Sequence, residues 1–327
     1  MEKKTKFAIG CLVQWYEIDI LHEYVNSLIS ALEIYNSPKD VIVDFTLVMN
    51  QQLEEYNGNF LDFLEIPNKF SETLKPLTDL CMLNYKTDYG LYTIADYRRN
   101  FNTFNKDIVD VLIWGETDML APKYMFYVLD QFHSNISPTN PKYVATFATC
   151  KMWDTSWAPL EHEQFTDKPF IENDYTNWWS LKYTMTQKEM DDINDKYEGV
   201  NTRFINPIKF NGCGLVISSA VIKAGVNIPE SVFFVHEDSA FMKVLVKKIP
   251  NIPQYHFSNI LLVHNRNHPQ KRNYVKGESG DTLNKKRRSN DWYVKANMMS
   301  ETNYKNLYSP GYNPFTWDDV FGNTNKN

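Results

Sequence analysis

The chain has 327 residues, 43% hydrophobic and 23% charged, which gives room for a sizeable core in one large domain or two modest ones and excludes disordered, collagen-like and fibrous classes. With 34 basic against 40 acidic residues the formal net charge is −6, so the chain as a whole is no polycationic nucleic-acid binder. Four separated cysteines (Cys11, Cys81, Cys150, Cys213) without a C-x-x-C pair argue against zinc fingers, redox dithiols and disulfide scaffolds, and leave reduced, buried thiols as the expectation.

Met1-Glu2-Lys3-Lys4-Thr5-Lys6 leads straight into an apolar run at residues 7–13 (FAIGCLV), a buried-strand signature rather than a signal-peptide core. No stretch approaches the roughly 20 consecutive apolar residues that span a bilayer, so no membrane span and a cytoplasmic location are expected. Ile18, Leu21, Val25, Leu28, Ile29 and Leu32 then recur at helical spacing until Asn36-Ser37-Pro38. Val41–Met49 reads as a second strand, and strand, helix, strand predicts a right-handed βαβ unit with a parallel sheet. A third strand, Val109–Trp114, runs into Gly115-Glu116-Thr117-Asp118, and Ala121-Pro122 opens a helix. Tyr143–Thr149 is a further strand. Residues 150–200, with Trp153, Trp157, Trp178 and Trp179, read as an insertion or second lobe joined to a strand near Phe210–Ser218. Ile260–Val263 is a last short strand, after which about 60 polar residues are expected to wrap the domain.

No G-x-G-x-x-G follows the first strand, and the close glycine pair Gly212-Cys213-Gly214 comes late, which disfavours a dinucleotide-binding Rossmann enzyme and a P-loop NTPase. Glu116-Thr117-Asp118 sits at the carboxyl end of a strand, where open α/β sheets place ligands, and two converging carboxylates ask for a cation. The chain holds five acid-x-acid triplets, about what its acidic content gives by chance, so only this position between strand and helix lifts the one at 116–118 above a solvated turn. Glu237-Asp238, after Val232-Phe233-Phe234 and before a helical run, reads either as a helix cap or as a general base with a neighbouring carboxylate. His264 follows the last strand; a lone histidine there is commonly structural, and only its place after the other two features singles it out.

In this order, a βαβ start, Arg98-Arg99-Asn100, acid-x-Asp after a strand, Asn211-Gly212-Cys213-Gly214, a Glu-Asp pair opening a helix and a late histidine, the chain resembles the GT-A nucleotide-sugar glycosyltransferases, most of all their large family-2-like group. The likeness runs from about residue 7 to 266 through motifs that are individually short. It implies an α/β, Rossmann-like GT-A fold, mostly parallel, with a Trp-rich insertion and a wrapping C-terminal segment. It divides the chain into a nucleotide-sugar-binding half at 1–120, an acceptor-binding half at 121–265 and a basic lid and tail at 266–327. It implies Mn²⁺ or Mg²⁺ on Asp118, Glu116 and His264, a donor that is UDP-linked by family habit, and donor contacts at Trp15, Tyr16, Asn50, Arg99, Asn100, Gly212 and Arg266. Asp238, with Glu237, matches the acceptor-side acidic pair, Asp238 as base. Glu116 departs from the usual first Asp, and Asn50 stands where an acid usually faces the nucleobase.

Residues 264–288 carry eight basic side chains against two acidic ones. They read as a solvated tail, a lid over the donor diphosphate, or a track for a nucleic-acid backbone. The Asn-, Lys-, Tyr- and Ile-rich wording points to an AT-rich coding genome of the bacteriophage kind. The leading acceptor on sequence is therefore a hydroxymethylated base in phage DNA, in the host cytoplasm, flipped into a pocket that the Trp-rich region helps form. A glycan or lipid-linked saccharide is the alternative acceptor. A catalytically silent nucleotide-sugar or glycan-binding module is the competing class, and a nucleotidyltransferase lacks its phosphate loop at Cys11–Glu17.

Overall fold

The computed structural model describes residues 4–151, 155–169, 184–196, 198–206, 208–210, 212–275 and 291–322. Trp153, Trp178, Trp179, Asn211 and the basic positions from Lys276 to Arg288 lie outside the described residues. In chain order the elements are β1 (Phe7–Gln14), α1 (Leu21–Ile34), β2 (Val41–Val48), α2 (Phe60–Leu74), β3 (Met82–Asp88), α3 (Ile94–Asn105), β4 (Val111–Trp114), β5 (Met119–Leu120), α4 (Met125–Ile136) and β6 (Val144–Ala148). They continue with α5 (Gln187–Asn194), β7 (Thr202–Phe204), β8 (Val216–Ser218), α6 (Ser219–Lys223), α7 (Glu237–Lys248), β9 (Gln254–Leu261), β10 (Val263–His264), α8 (Asp291–Lys305) and α9 (Trp317–Phe321).

Eight strands form one sheet in the order β3-β2-β1-β4-β8-β6-β9-β7. The first four are mutually parallel, as the βαβ reading requires, and β6 is parallel to β9; β8 and β7 run antiparallel to their neighbours. The sheet is covered on both faces, which is why β1 and β2 are near-continuous apolar runs. Leu28 of α1, Phe70 of α2 and Phe126 of α4 pack with Phe7, Ile9 and Val13 on one face. Phe101 of α3, Val221 of α6 and Phe241 of α7 pack with Ala8, Leu12 and Trp114 on the other. No helix among the described residues is long and apolar enough to cross a membrane.

Several elements differ from the sequence expectation for visible reasons. β3 is a mostly exposed edge strand with polar alternate positions, and α2 carries Pro67 inside it and exposes Phe60, Leu61 and Leu64, so neither shows a clean period. The expected strand at 210–218 shrinks to Val216–Ser218, because Gly214 turns the chain with φ +71 just before it. The helix after Pro122 begins at Met125, with a turn closed from Met125 N to Pro122 O. Between residues 291 and 322 lie two helices, α8 and α9, which cover Phe233 and Phe234 in an aromatic cluster with Trp317 against the loop before α7.

Gly214 is left-handed, and a Cβ there would collide with Leu262 Cδ1. Gly214→Ala is expected to lower the unfolding free energy by about 2–4 kcal/mol, the left-handed penalty plus overpacking, as read in denaturant titration. A loss below about 0.5 kcal/mol would contradict this packing.

Candidate active site

The site grows from the end of β4. Gly115 N donates to Gly10 O at 2.7 Å, and a Cβ on Gly115 would strike the Tyr24 hydroxyl, so the chain leaves the sheet pressed against β1. The following turn carries Glu116 and Asp118, while Thr117 donates its hydroxyl to Leu12 O and to Glu17 Oε2, each at 3.2 Å. Short strand β10 pairs antiparallel with β5, setting His264 opposite Met119. This ribbon brings His264 Nε2 to 3.0 Å from Glu116 Oε2 and 3.4 Å from Asp118 Oδ1. The three residues expected to share a cation therefore do meet.

A guanidinium joins this cluster to the start of α7. Arg98, 2% exposed, donates from Nη2 to Glu116 Oε1 at 2.6 Å and to Gly212 O at 3.0 Å, and from Nη1 to Glu237 Oε1 at 2.9 Å. It also lies 4.7 Å from the Trp114 ring centroid. A Cβ on Gly212 would run into Arg98 Nη1, so this position admits the guanidinium only as glycine. The residue before Glu237, His236, is left-handed at φ 69 and stacks on Tyr304 of α8, a strained backbone that fixes where α7 begins.

The third cation comes from the C-terminal side. Lys271 Nζ lies 2.7 Å from Asp118 Oδ2 and 3.0 Å from Glu17 Oε1. Burial pushes every group here toward its neutral form, and the ion pairs decide the outcome. Burial raises Glu116, but His264 and Arg98 outweigh it and hold the carboxyl at about 2. Asp118 is likewise held well below the carboxylate range, against burial, by Lys271 and His264. His264 is raised well above the ordinary imidazole value, against burial, by Cys213, Asp118 and Glu116. Glu237 goes the other way: burial and the neighbouring Asp238 carboxylate push it up to about 7, with Arg98 opposing.

Glu17, Glu116, Asp118, Glu237 and Lys271 line a cavity of about 300 Å³ together with Leu12, Tyr16, Val48, Asn50 and Tyr92, whereas Arg98 and His264 are not among its lining residues. Charged, polar and aromatic side chains thus share one concave surface. Tyr16 lines the cavity, whereas Trp15 is wholly buried against Tyr56 and Phe63 and has no face for a ligand. Asn50 lines it, with its amide donating to Tyr89 O. Gly212 contributes its carbonyl to Arg98. Arg99 turns away: it donates to Ile228 O, Pro229 O and Val232 O and pairs with Asp96, pinning a loop. Asn100 donates to the Tyr92 hydroxyl and lines a separate cavity beside β2 and β3. Arg266 lies on the chain just past His264 and is not among the cavity's lining residues. Asp238 accepts from Ser239 N and Oγ and is also absent from the cavity wall.

The donor set suits a hard divalent cation. Glu116 and Asp118 offer carboxylate oxygens and His264 its Nε2, the ring nitrogen that faces both acids. Cys213 Sγ lies within 4.8 Å of the Glu116 and His264 donors; burial pushes its thiol up to about 11, so a metal would have to displace its proton to use it. The carboxylate oxygens and imidazole nitrogen fit Mn²⁺ or Mg²⁺. Sequence reasoning missed Arg98, Glu17 and the inward turn of Lys271. Arg98 was detectable from helical phase, since it shares a face with Phe101, Asn102 and Asn105, all buried.

No protein-family model matches the chain, and no curated protein matches it. Among solved structures, S. aureus TarS 1–349 in complex with UDP-GlcNAc is similar at a TM-score of 0.46 and 9% identity, over 93% of this chain and 76% of that one. A longer S. aureus TarS chain is similar at 0.42 and 10% identity over 77% of this chain, which spans 36% of it. UDP-glucose pyrophosphorylase complexed with UDP-glucose is similar at 0.38 and 10% identity, over 92% of this chain and 99% of that one.

Arg98→Met strips both carboxylates of their shared guanidinium and is expected to cost about 3–5 kcal/mol of unfolding free energy at pH 8. The cost should be smaller at pH 5, because below about 7 Glu237 is protonated in the folded protein and one of the two buried charges is gone. Equal losses at both pH values would contradict the Arg98–Glu237 pair.

Proposed function

We propose that the chain is a metal-dependent glycosyltransferase that moves a sugar from a nucleotide sugar, UDP-linked on the family resemblance, to a hydroxyl acceptor. The observation that carries this reading is the pairing, in one cavity, of an acidic cation site at the carboxyl ends of parallel strands with a separate carboxylate, Glu237, pushed up to about 7. Transfer breaks the bond between the anomeric carbon and the diphosphate oxygen and forms one to the acceptor oxygen, so negative charge grows on the leaving group and a proton must leave the acceptor. Glu116, Asp118 and His264 would hold the divalent cation, which when bound supplies positive charge to the leaving diphosphate. Tyr16, Val48 and Tyr92, which line the cavity, would take the base.

Glu237 takes the general-base role that the sequence reading gave to Asp238. It faces the cavity, Arg98 fixes its orientation, and a value near 7 leaves it ionised enough to accept a proton and basic enough to use it. Asp238 is spent on Ser239 and acts through its charge, by raising Glu237.

The acceptor to test first remains a hydroxymethylated base in phage DNA, with a glycan or lipid-linked saccharide second. The described members of the basic run favour a donor-side role, since Lys271 reaches the acids and Arg272 stacks 5.4 Å from the Tyr16 ring centroid. Contact with a DNA backbone would fall to residues 276–288, outside the described residues.

The test is nucleoside diphosphate release from a panel of nucleotide sugars, with and without Mn²⁺ or Mg²⁺, offering hydroxymethylated DNA, plain DNA and simple glycans. Metal-dependent release that rises with one acceptor class is expected. Binding of donors without any release would favour the silent module, and neither binding nor release would overturn the reading. In the active system Glu237→Gln should lower kcat by about 10²–10⁴-fold and abolish the acid limb near pH 7 in kcat/KM, with Asp238→Asn less harmful. An unchanged limb would remove Glu237 from the base role.

A further inference from the structure

The four carboxylate oxygens of Glu116 and Asp118 are already engaged by the protein's own cationic groups: Arg98 at 2.6 Å, His264 at 3.0 and 3.4 Å, and Lys271 at 2.7 Å. A divalent cation held by Glu116, Asp118 and His264 takes the place of the His264 proton and adds positive charge beside the Lys271 ammonium, which shares Asp118. Arg98 is locked by Gly212 O, Glu237 and the Trp114 ring, and His264 is carried by the β5–β10 ribbon. Lys271 is different. Its ammonium sits on a flexible stem, and it belongs to a segment, residues 265–275, that is tied at both ends and fastened between them by His268 on Glu23. One end is the ribbon, with Asn265 N donating to Asp118 O; the other is the Tyr56–Val275 bridge, with Asn57 N donating to Tyr274 O. The next residue, Arg272, is a non-glycine held left-handed at φ 70 with its N–H on Tyr16 O.

The charge on the walls points the same way. Glu17, Glu54, Glu116, Asp118 and Glu237 line the cavity, and Lys271 is the cationic side chain among its lining residues. A diphosphate entering such a cavity is repelled unless positive charge is added.

We propose that Lys271 is a place-holder for the divalent cation: in the ligand-free protein its ammonium occupies the Asp118–Glu17 side of the cluster, and cation binding releases it toward the donor diphosphate. The inference rests on the metal-dependent reading above. It makes cation and nucleotide sugar bind cooperatively, because the released ammonium finds a new anionic partner only when the diphosphate is present.

The test is Mn²⁺ titration without donor, by calorimetry or by the electron paramagnetic resonance signal of free Mn²⁺, on the full chain and on Lys271→Gln and Lys271→Arg. Lys271→Gln should bind Mn²⁺ at least about tenfold more tightly than the unmodified chain, since a competing charge is gone, and Lys271→Arg should not. In the unmodified chain, Mg²⁺ should speed acylation of Lys271 by an N-hydroxysuccinimide ester, read by peptide mass spectrometry, a measurement independent of how the variants fold. Lys271→Gln binding no tighter, or labelling that Mg²⁺ leaves unchanged, overturns the proposal. Transfer that proceeds in a chelator with no Mn²⁺ bound overturns it together with the metal dependence, while leaving the transfer of sugar itself intact. Tighter Mn²⁺ binding by Lys271→Gln with no donor turned over supports the place-holder and sinks the transferase reading instead.

Discussion

Arg98 is the constraint on which the site depends. A guanidinium cannot be buried to 2% exposure without anionic partners, and its two, Glu116 and Glu237, come from segments 121 residues apart. One sits on the turn after β4 and the other opens α7, so a single ion-pair network fixes the distance between these two carboxylates of the cavity wall. The surroundings are built to suit it. Gly212 has no side chain that would exclude the guanidinium, its carbonyl takes a third hydrogen bond, and Trp114 offers a ring face. The left-handed His236, stacked on Tyr304, brings α7 in at the angle that puts Glu237 on Arg98.

From that arrangement follows a separation of roles between chemically similar groups. Glu116 and Glu237 share one cation, yet one is held at about 2 and the other rises to about 7. The difference is in the second neighbour: His264 stands beside Glu116, whereas Asp238 stands beside Glu237. Carboxylates driven apart in this way can do different work in one cavity, a permanent anion for a cation site and a proton acceptor near neutral pH.

Much of the fold was legible because the sheet is covered on both faces. β1, β2 and β4 are buried apolar runs, and α1 announces itself by period; β3 and α2 do not, being an exposed edge strand and a helix with an internal proline and apolar residues on its outer side. The short motifs led to the neighbourhood of this cavity but not always to the side chains that face it. In three adjacent pairs, Trp15-Tyr16, Arg98-Arg99 and Glu237-Asp238, one member serves the cavity or its ion network while the other is turned to loop, core or local backbone. A short motif locates the neighbourhood, but which neighbour faces inward depends on where each helix or turn begins, and that is set by tertiary contacts such as the stacking of His236 on Tyr304. Lys271 lies 153 residues from Asp118, and no local pattern announces that pairing.

The most direct test of this account is a double-mutant cycle in unfolding free energy between Glu116→Gln and Glu237→Gln. Each single variant leaves Arg98 one carboxylate, and the double variant leaves a buried guanidinium with none. The double variant should therefore lose about 1–3 kcal/mol more than the two singles added together. Additivity to within about 0.5 kcal/mol would mean that the two acids do not share Arg98, and the joined site described here would not exist.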